Sequence, residues 1–204
     1  MLSTAVIAAA GLAISAAPAA AGPLSDAAAP CSEQSLAQPF LPWADPASYT
    51  LAPGGTIEGD ATAMWSMSGG AAAAAGNEPF FVSDGADTTS LSLPAGSSST
   101  TGAMCVGVEH PTLRFIAKRT GGSTPGSLRV DVLYEDLAGN TDSIAVGSVS
   151  GMMSGWRASA PMLILANLLA PLQGGQAAIA LRFTPQGNSS WAIDDVYVDP
   201  FRRH

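Results

Sequence analysis

Positive charge is what this sequence has least of. Lys118 is its one lysine, and 8 Lys+Arg stand against 16 Asp+Glu for a formal net charge of −8. Its basic clusters are Lys118-Arg119 and Arg202-Arg203-His204. A nucleic-acid partner needs a basic stripe that displaces counterions from phosphates. Neither cluster makes one, so nucleic acid is excluded as a partner. Histidine is almost missing as well: His110 is the only one besides the last residue, His204. No His-x-x-x-His or Cys-x-x-Cys spacing occurs, which excludes a zinc finger or a redox dithiol. There is no G-x-S-x-G elbow for a serine nucleophile, and the Gly-rich run Gly121–Gly126 lacks the lysine of a phosphate loop. No carboxylate pair is singled out by spacing for glycoside hydrolysis. The chain is read as a non-enzyme, and His110, beside Pro111, as a turn or surface residue.

What is present begins with a leader. Residues 1–21 carry no charged side chain, and Ala5 to Ala17 is apolar apart from Ser15. The run falls short of the roughly 20 strongly apolar residues of a membrane span. Pro18 breaks it, and Ala19-Ala20-Ala21 precedes Gly22, the small-residue pattern of a secretory signal peptide. Residues 1–21 are therefore expected to be a signal peptide and the product to be extracellular; an uncleaved Ala-rich anchor is the alternative. Two thiols in an exported chain are expected to pair, here Cys31 with Cys105, for a stabilisation of roughly 4 kcal/mol. Two buried free thiols are the alternative. Residues 22–46 read as a Pro/Ala-rich tether, disordered over 22–30, followed by an irregular arm holding Phe40, Leu41 and Trp43.

From residue 47 to 201 the pattern is one of short extended runs between turn signals, as in an antiparallel β-sandwich. The expected runs are Ser48–Leu51, Thr56–Glu58, Ala63–Met67, Pro79–Val82 and Ser90–Leu93. Alternation is clearest further on. Leu128, Val130, Val132 and Tyr134 share one face, with Arg129, Asp131, Leu133 and Glu135 on the other. Leu113, Phe115 and Ala117 form a second such face, and Ile179, Leu181 and Phe183 a third. Ala138-Gly139-Asn140 predicts a hairpin turn. Ala71–Ala75, set between glycines, is too short to nucleate a helix and reads as a small-residue strand or loop. Met162–Leu169, bracketed by Pro161 and Pro171, reads as extended. Asn188-Ser189-Ser190 matches a glycosylation sequon and marks a turn. Trp65, Trp156 and Trp191 are assigned to the core, while Trp43, in the arm, is the ring left for a ligand.

Two motifs carry a family resemblance. Gly54-Gly55-Thr56-Ile57-Glu58-Gly59, followed by Trp65, resembles the opening strand of carbohydrate-binding-module-type jelly rolls of the galactose-binding-like class. Trp191-Ala192-Ile193-Asp194-Asp195-Val196-Tyr197-Val198 resembles their closing strand, and Gly155-Trp156 the start of a late one. Longer runs, such as "GNEPFFV" and "WAIDDVYVDPF", are similar to secreted proteins of actinobacteria. The resemblance implies an all-β jelly roll. It also implies a structural calcium held by Glu58 with Asp194 or Asp195, since calcium takes about six to eight oxygen ligands. Neighbouring strand residues point to opposite faces, so only one of the two aspartates is expected to serve. Capping of turns is the alternative role for these carboxylates. The expected function is non-catalytic binding of carbohydrate or cell-wall polymer, with Trp43 as the stacking ring. A structural or protein-interaction domain without a small ligand is the alternative.

Overall fold

The computed structural model describes residues 22–28, 34–122, 126–150 and 154–199. Among the described residues thirteen strands occur in the order β1 (Thr50–Leu51), β2 (Ser66–Ser68), β3 (Ala72–Ala75), β4 (Thr89–Leu93), β5 (Ser98–Thr100), β6 (Met104–Val106), β7 (Thr112–Gly122), β8 (Ser127–Glu135), β9 (Thr141–Ser150), β10 (Arg157–Ala158), β11 (Met162–Leu163), β12 (Ala177–Gln186) and β13 (Ser189–Asp199). They form two antiparallel sheets. One runs β10-β7-β13-β4-β3, with β1 on β13 and β11 on β7. The other runs β2-β5-β12-β8-β9, with β6 on β12. The chain crosses repeatedly between the sheets, which makes the domain an all-β sandwich of jelly-roll type.

Period-two burial builds the layers. Leu113, Phe115 and Ala117 of β7 face Leu128, Val130 and Val132 of β8 and Ile179, Leu181 and Phe183 of β12 in one shared core. Phe183 is the hub. Its ring lies 5.0 Å from Phe115, edge-on, and 5.9 Å from Trp65. The buried indoles keep their polar atoms bonded, Trp65 Nε1 donating to the Gly54 carbonyl and Trp191 Nε1 to Ser189 Oγ. Gly54 has φ +70°, and a Cβ there would sit 2.5 Å from the Ala61 carbonyl, so that turn demands glycine.

Several expectations are corrected. Residues 22–28, expected to be disordered, are ordered. Pro23–Ala27 forms one helical turn against β12, β6 and β8, because Glu135 accepts bonds from Leu24 N–H, Ser25 N–H and Ser25 Oγ. Met162–Leu169 is extended only at β11. Ala166–Gln173 winds into a 3₁₀ helix that retains Pro171. Thr56–Glu58 is not strand, since Thr56 closes a turn and Ile57 and Glu58 are irregular, and Gly59–Met64 is 3₁₀, so the run expected from Ala63 becomes strand only at Ser66. Pro79–Val82 is a bend, curled because the Glu78 carboxylate accepts both Phe80 N–H and Val82 N–H. His110 does sit at a turn but is buried, with Nδ1 accepting Gly107 N–H and Nε2 2.7 Å from Gln34 Oε1. Of the expected disulfide, Cys31 lies outside the described residues; Cys105 is buried on β6. Residues 1–21, expected to be a signal peptide, also lie outside them.

Candidate functional site

The outer faces of the two sheets differ in chemistry. On the β8–β12 side, Asp131 is buried between Arg129, at 2.5 Å, and Arg182, at 3.9 Å. A shallow hollow beside them is lined by Ser127, Arg129, Ala145–Ser148 and Gln186, and it has no aromatic ring.

The outer face of the β7–β13 sheet is aromatic. Alternation along β7 turns Arg114 and Ile116 outward, and β13 does the same with Tyr197 and Asp199. The arm then lies across them. Phe40, Tyr49, Ile116 and Tyr197 form a second buried cluster, with Trp43, Val82 and Trp156 packed at its edge. Phe40 is fully buried, edge-on to Tyr49 at 5.0 Å and to Tyr197 at 5.8 Å. Arg114 fastens the arm: Nε and Nη2 donate to the Ser159 carbonyl, Nη1 donates to Asp45, and the guanidinium stacks over Phe40 at 4.4 Å.

Beside this fastening is an open hollow of about 430 Å³. Its walls include Trp43, Asp45, Tyr49, Thr112, Arg114 and Asp199. Trp43 is half-buried and braced edge-on by Phe80 at 4.9 Å. Asp199 is 6% exposed. Its Oδ2 takes a long bond of 3.4 Å from Thr112 Oγ1, while its Oδ1 is buried with no hydrogen-bond partner among the described residues. Burial pushes its carboxyl up to about 6. Asp45 goes the other way. Burial raises it, but the Tyr49 hydroxyl and the Arg114 guanidinium outweigh that and leave it below the usual range. The hollow thus combines one half-exposed ring, Trp43, beside the buried Tyr49, with one fixed cation and one unsatisfied acceptor.

A second constellation lies midway along β13. Glu78 and Asp194 are fully buried, and Asp195 is 1% exposed. Asp194 accepts Glu78 N–H and Asp195 N–H. Neither Asp195 oxygen has a hydrogen-bond partner of ordinary geometry, although the Glu78 carboxyl and the Ser83 amide are close enough to influence it. Burial pushes both aspartates up to about 8. Asp195 adds to the effect on Asp194; Glu78 and Asp87 add to it on Asp195. No described ion pair involves any of these three carboxylates.

This corrects the carry-over from the motif in two ways. The register of β13 against β7 slips between Asp194 and Tyr197, and Asp195 has φ +50°. That bulge breaks strand alternation, so both aspartates act on the same neighbour, Glu78, rather than on opposite faces. Glu58 is spent elsewhere, accepting Thr88 N–H, Thr89 N–H and the Thr89 hydroxyl. Those bonds outweigh partial burial and hold its carboxyl below the usual range. Glu78, which no motif singled out, is the carboxylate that lies beside the two aspartates. Among the described residues no group of three or more His, Cys, Asp or Glu side chains is arranged as a ready ligand set. A hard cation at Asp195 would draw on backbone carbonyls as well. The two orphaned oxygens of Asp195 fit such an ion; the bonded carboxylate of Glu58 does not.

An antiparallel jelly roll with a ring-lined surface hollow is therefore the class of protein that fold and site define. No family model matches the sequence, and no curated protein matches it. Among solved structures, the chain is similar to the CBM22-1–GH10 modules of Clostridium thermocellum xylanase 10B complexed with xylohexaose. The identity is 11% and the TM-score 0.45, over 67% of this chain and 26% of that one. The C-terminal family 22 carbohydrate-binding module of the same xylanase is 12% identical with a TM-score of 0.43, over 71% of this chain and 90% of that one. The family 11 carbohydrate-binding module of the cellulase Lic26A-Cel5E of Clostridium thermocellum is 11% identical with a TM-score of 0.43, over 76% and 96%. These are similarities of chain path, and nothing about this chain's ligand follows from them.

Proposed function

We propose that the protein is a secreted, non-catalytic module that binds polysaccharide, on the cell wall or outside it, through the Trp43 hollow. The observation that carries the reading is the pairing of a half-exposed indole with the buried, unpartnered Asp199 Oδ1 in one open hollow. The apolar face of a pyranose stacks on an aromatic ring, and its hydroxyls are donors for an acceptor that otherwise sits unsatisfied at a cost. The opposite sheet offers charge but no ring.

The test is affinity electrophoresis through gels containing soluble xylan, soluble β-glucan or solubilised bacterial cell-wall polymer. The expected result is retardation in at least one gel. Trp43→Ala should weaken it roughly 30-fold, the effect of removing an aromatic anchor worth about 2 kcal/mol. Asp199→Asn should weaken it less. Unchanged migration in every gel would move the weight to a protein-interaction role. That reading has its own observation: Leu163, Leu168 and Leu172 are 56%, 67% and 68% exposed along β11 and the following 3₁₀ helix.

The calcium reading shifts with the geometry. Asp195 and Asp194, with Glu78 beside them, would hold the ion. Its role would be to offset the mutual repulsion of the buried carboxylates and pin the bulge of β13 to the 78–82 bend, which carries Phe80 against Trp43. Among the described residues no helix is long and apolar enough to cross a membrane.

A further inference from the structure

We infer that the peptide bond between Ala21 and Gly22 is the processing site, and that the α-ammonium released there pairs with the buried Glu135 carboxylate, locking the new N-terminus onto the sandwich. The inference rests on the export reading and adds to it a receptor for the cleaved end.

Gly22 is buried. A Cβ on it would lie 2.5 Å from the Gly139 carbonyl oxygen and 2.6 Å from both the carboxyl carbon and Oε1 of Glu135. Only glycine fits. By covalent geometry its nitrogen then lies within about 5 Å of Oε1. Glu135 is 4% exposed and takes part in no described ion pair. The surrounding hollow of about 450 Å³ is walled by Gly22, Ser25, Glu135, Asp136, Leu137, Gly139 and residues of the 172–176 turn. The charged groups lining this hollow are Glu135, the last residue of β8, and Asp136 after it; Asp26, on the helical turn, is exposed and does not line it. The 172–176 side contributes Leu172, Gln173, Gly174 and Gln176, all uncharged. No cationic side chain lines the hollow, so an amino group at Gly22 would be the sole positive charge there. The three alanines before Gly22 supply the small residues a leader peptidase reads.

The covalent step is hydrolysis. Water, activated by a leader peptidase of the secreting cell, adds to the Ala21 carbonyl, and the C–N bond breaks. Ala21 leaves with a carboxylate, and Gly22 keeps the nitrogen, which takes up a proton as ammonium. That charge forms a charge-assisted hydrogen bond to a carboxylate already aimed at the adjacent backbone N–H groups of Leu24 and Ser25.

The sign of the pH dependence follows. An α-amino group has an ordinary pKa of about 7.7–8.0. Pairing raises it in the folded state. The stabilisation is therefore complete below that value and is lost as pH rises through the higher folded-state value.

Two measurements test this. First, the full chain is expressed in a secreting Gram-positive host and the released protein sequenced from its N-terminus. A start at Gly22 is expected. A start elsewhere overturns the inference but leaves export standing; retention of the leader overturns export itself. Second, the Gly22-start chain is melted between about pH 6 and pH 10 beside a chain with one extra alanine before Gly22, and beside Glu135→Gln. The Gly22-start chain should lose about 3–6 °C more over this range than either comparison chain. The alanine-extended chain keeps the Glu135 bonds to Leu24 and Ser25, so it separates the ion pair from those bonds. Equal pH profiles for all three would overturn the pairing. Because Lys118 is the only side-chain amine, an amine-reactive label provides an independent readout. Gly22 should react about tenfold more slowly in the native chain than in Glu135→Gln.

Discussion

Calcium, added to chelator-treated protein, is expected to raise the melting temperature by roughly 5–10 °C. A ligand at 100 times its Kd stabilises the native state by about 2.7 kcal/mol. For a chain of this size each kcal/mol moves Tm by about 2–4 °C. The cause is local: Glu78, Asp194 and Asp195 are buried together, no described cation pairs with them, and neither Asp195 oxygen has a hydrogen bond of ordinary geometry. The calcium-free arm has a definite sign. Both aspartates are pushed up to about 8 in the fold, so the folded state binds more protons than the unfolded chain. Stability is then greatest below the unfolded value of about 4 and falls as pH rises towards 8. Calcium competes with those protons, so its increment grows over the same interval. Asp195→Asn should abolish the calcium shift, and Glu58→Gln should leave it intact. A Tm that calcium does not move at neutral pH removes the ion from the account.

Phe183→Ala has the other large effect. The ring is fully buried and joins Phe115 on one sheet to Trp65 on the segment entering the other. Truncating a core phenylalanine costs about 3–5 kcal/mol, because the cavity closes only in part. The melt should drop by roughly 6–20 °C. Leu172→Ala, at an exposed position, should stay within about 0.5 kcal/mol of the parent. A shift for Phe183→Ala no larger than that of Leu172→Ala would mean that the layers do not pack through this ring.

The sandwich was legible because strict alternation and burial have the same period. β7, β8 and β12 each turn the expected apolar residues inward, and of the strand or loop expected at Ala71–Ala75 the strand forms, over Ala72–Ala75. The hairpin turn at Gly139 was legible for a local reason, its φ of +81°. The site was readable only in part. Trp43 stood out because it lies in the irregular arm. Asp199, Arg114 and Asp45 did not, since the fold gathers them from β13, β7 and the arm. Period two assigned Asp194 and Asp195 to opposite faces. Nothing in the sequence announced a bulge whose positive-φ residue is an aspartate rather than a glycine. Glu78 meets Asp194 across a separation of 116 residues. Its one local signal was a lone acid before the apolar run Pro79–Val82. The order at Pro23–Ala27 was hidden for the same reason: Glu135, which fixes it, is more than a hundred residues away.

The binding surface itself is tested most directly by an amide and indole NMR titration with the polysaccharide fragments that retard the protein. The account predicts shift changes at the Trp43 indole, Ala47, Thr112 and Asp199, with none around Arg129, Asp131 and Arg182. Changes confined to the Arg129–Arg182 face, with Trp43 silent, would contradict it.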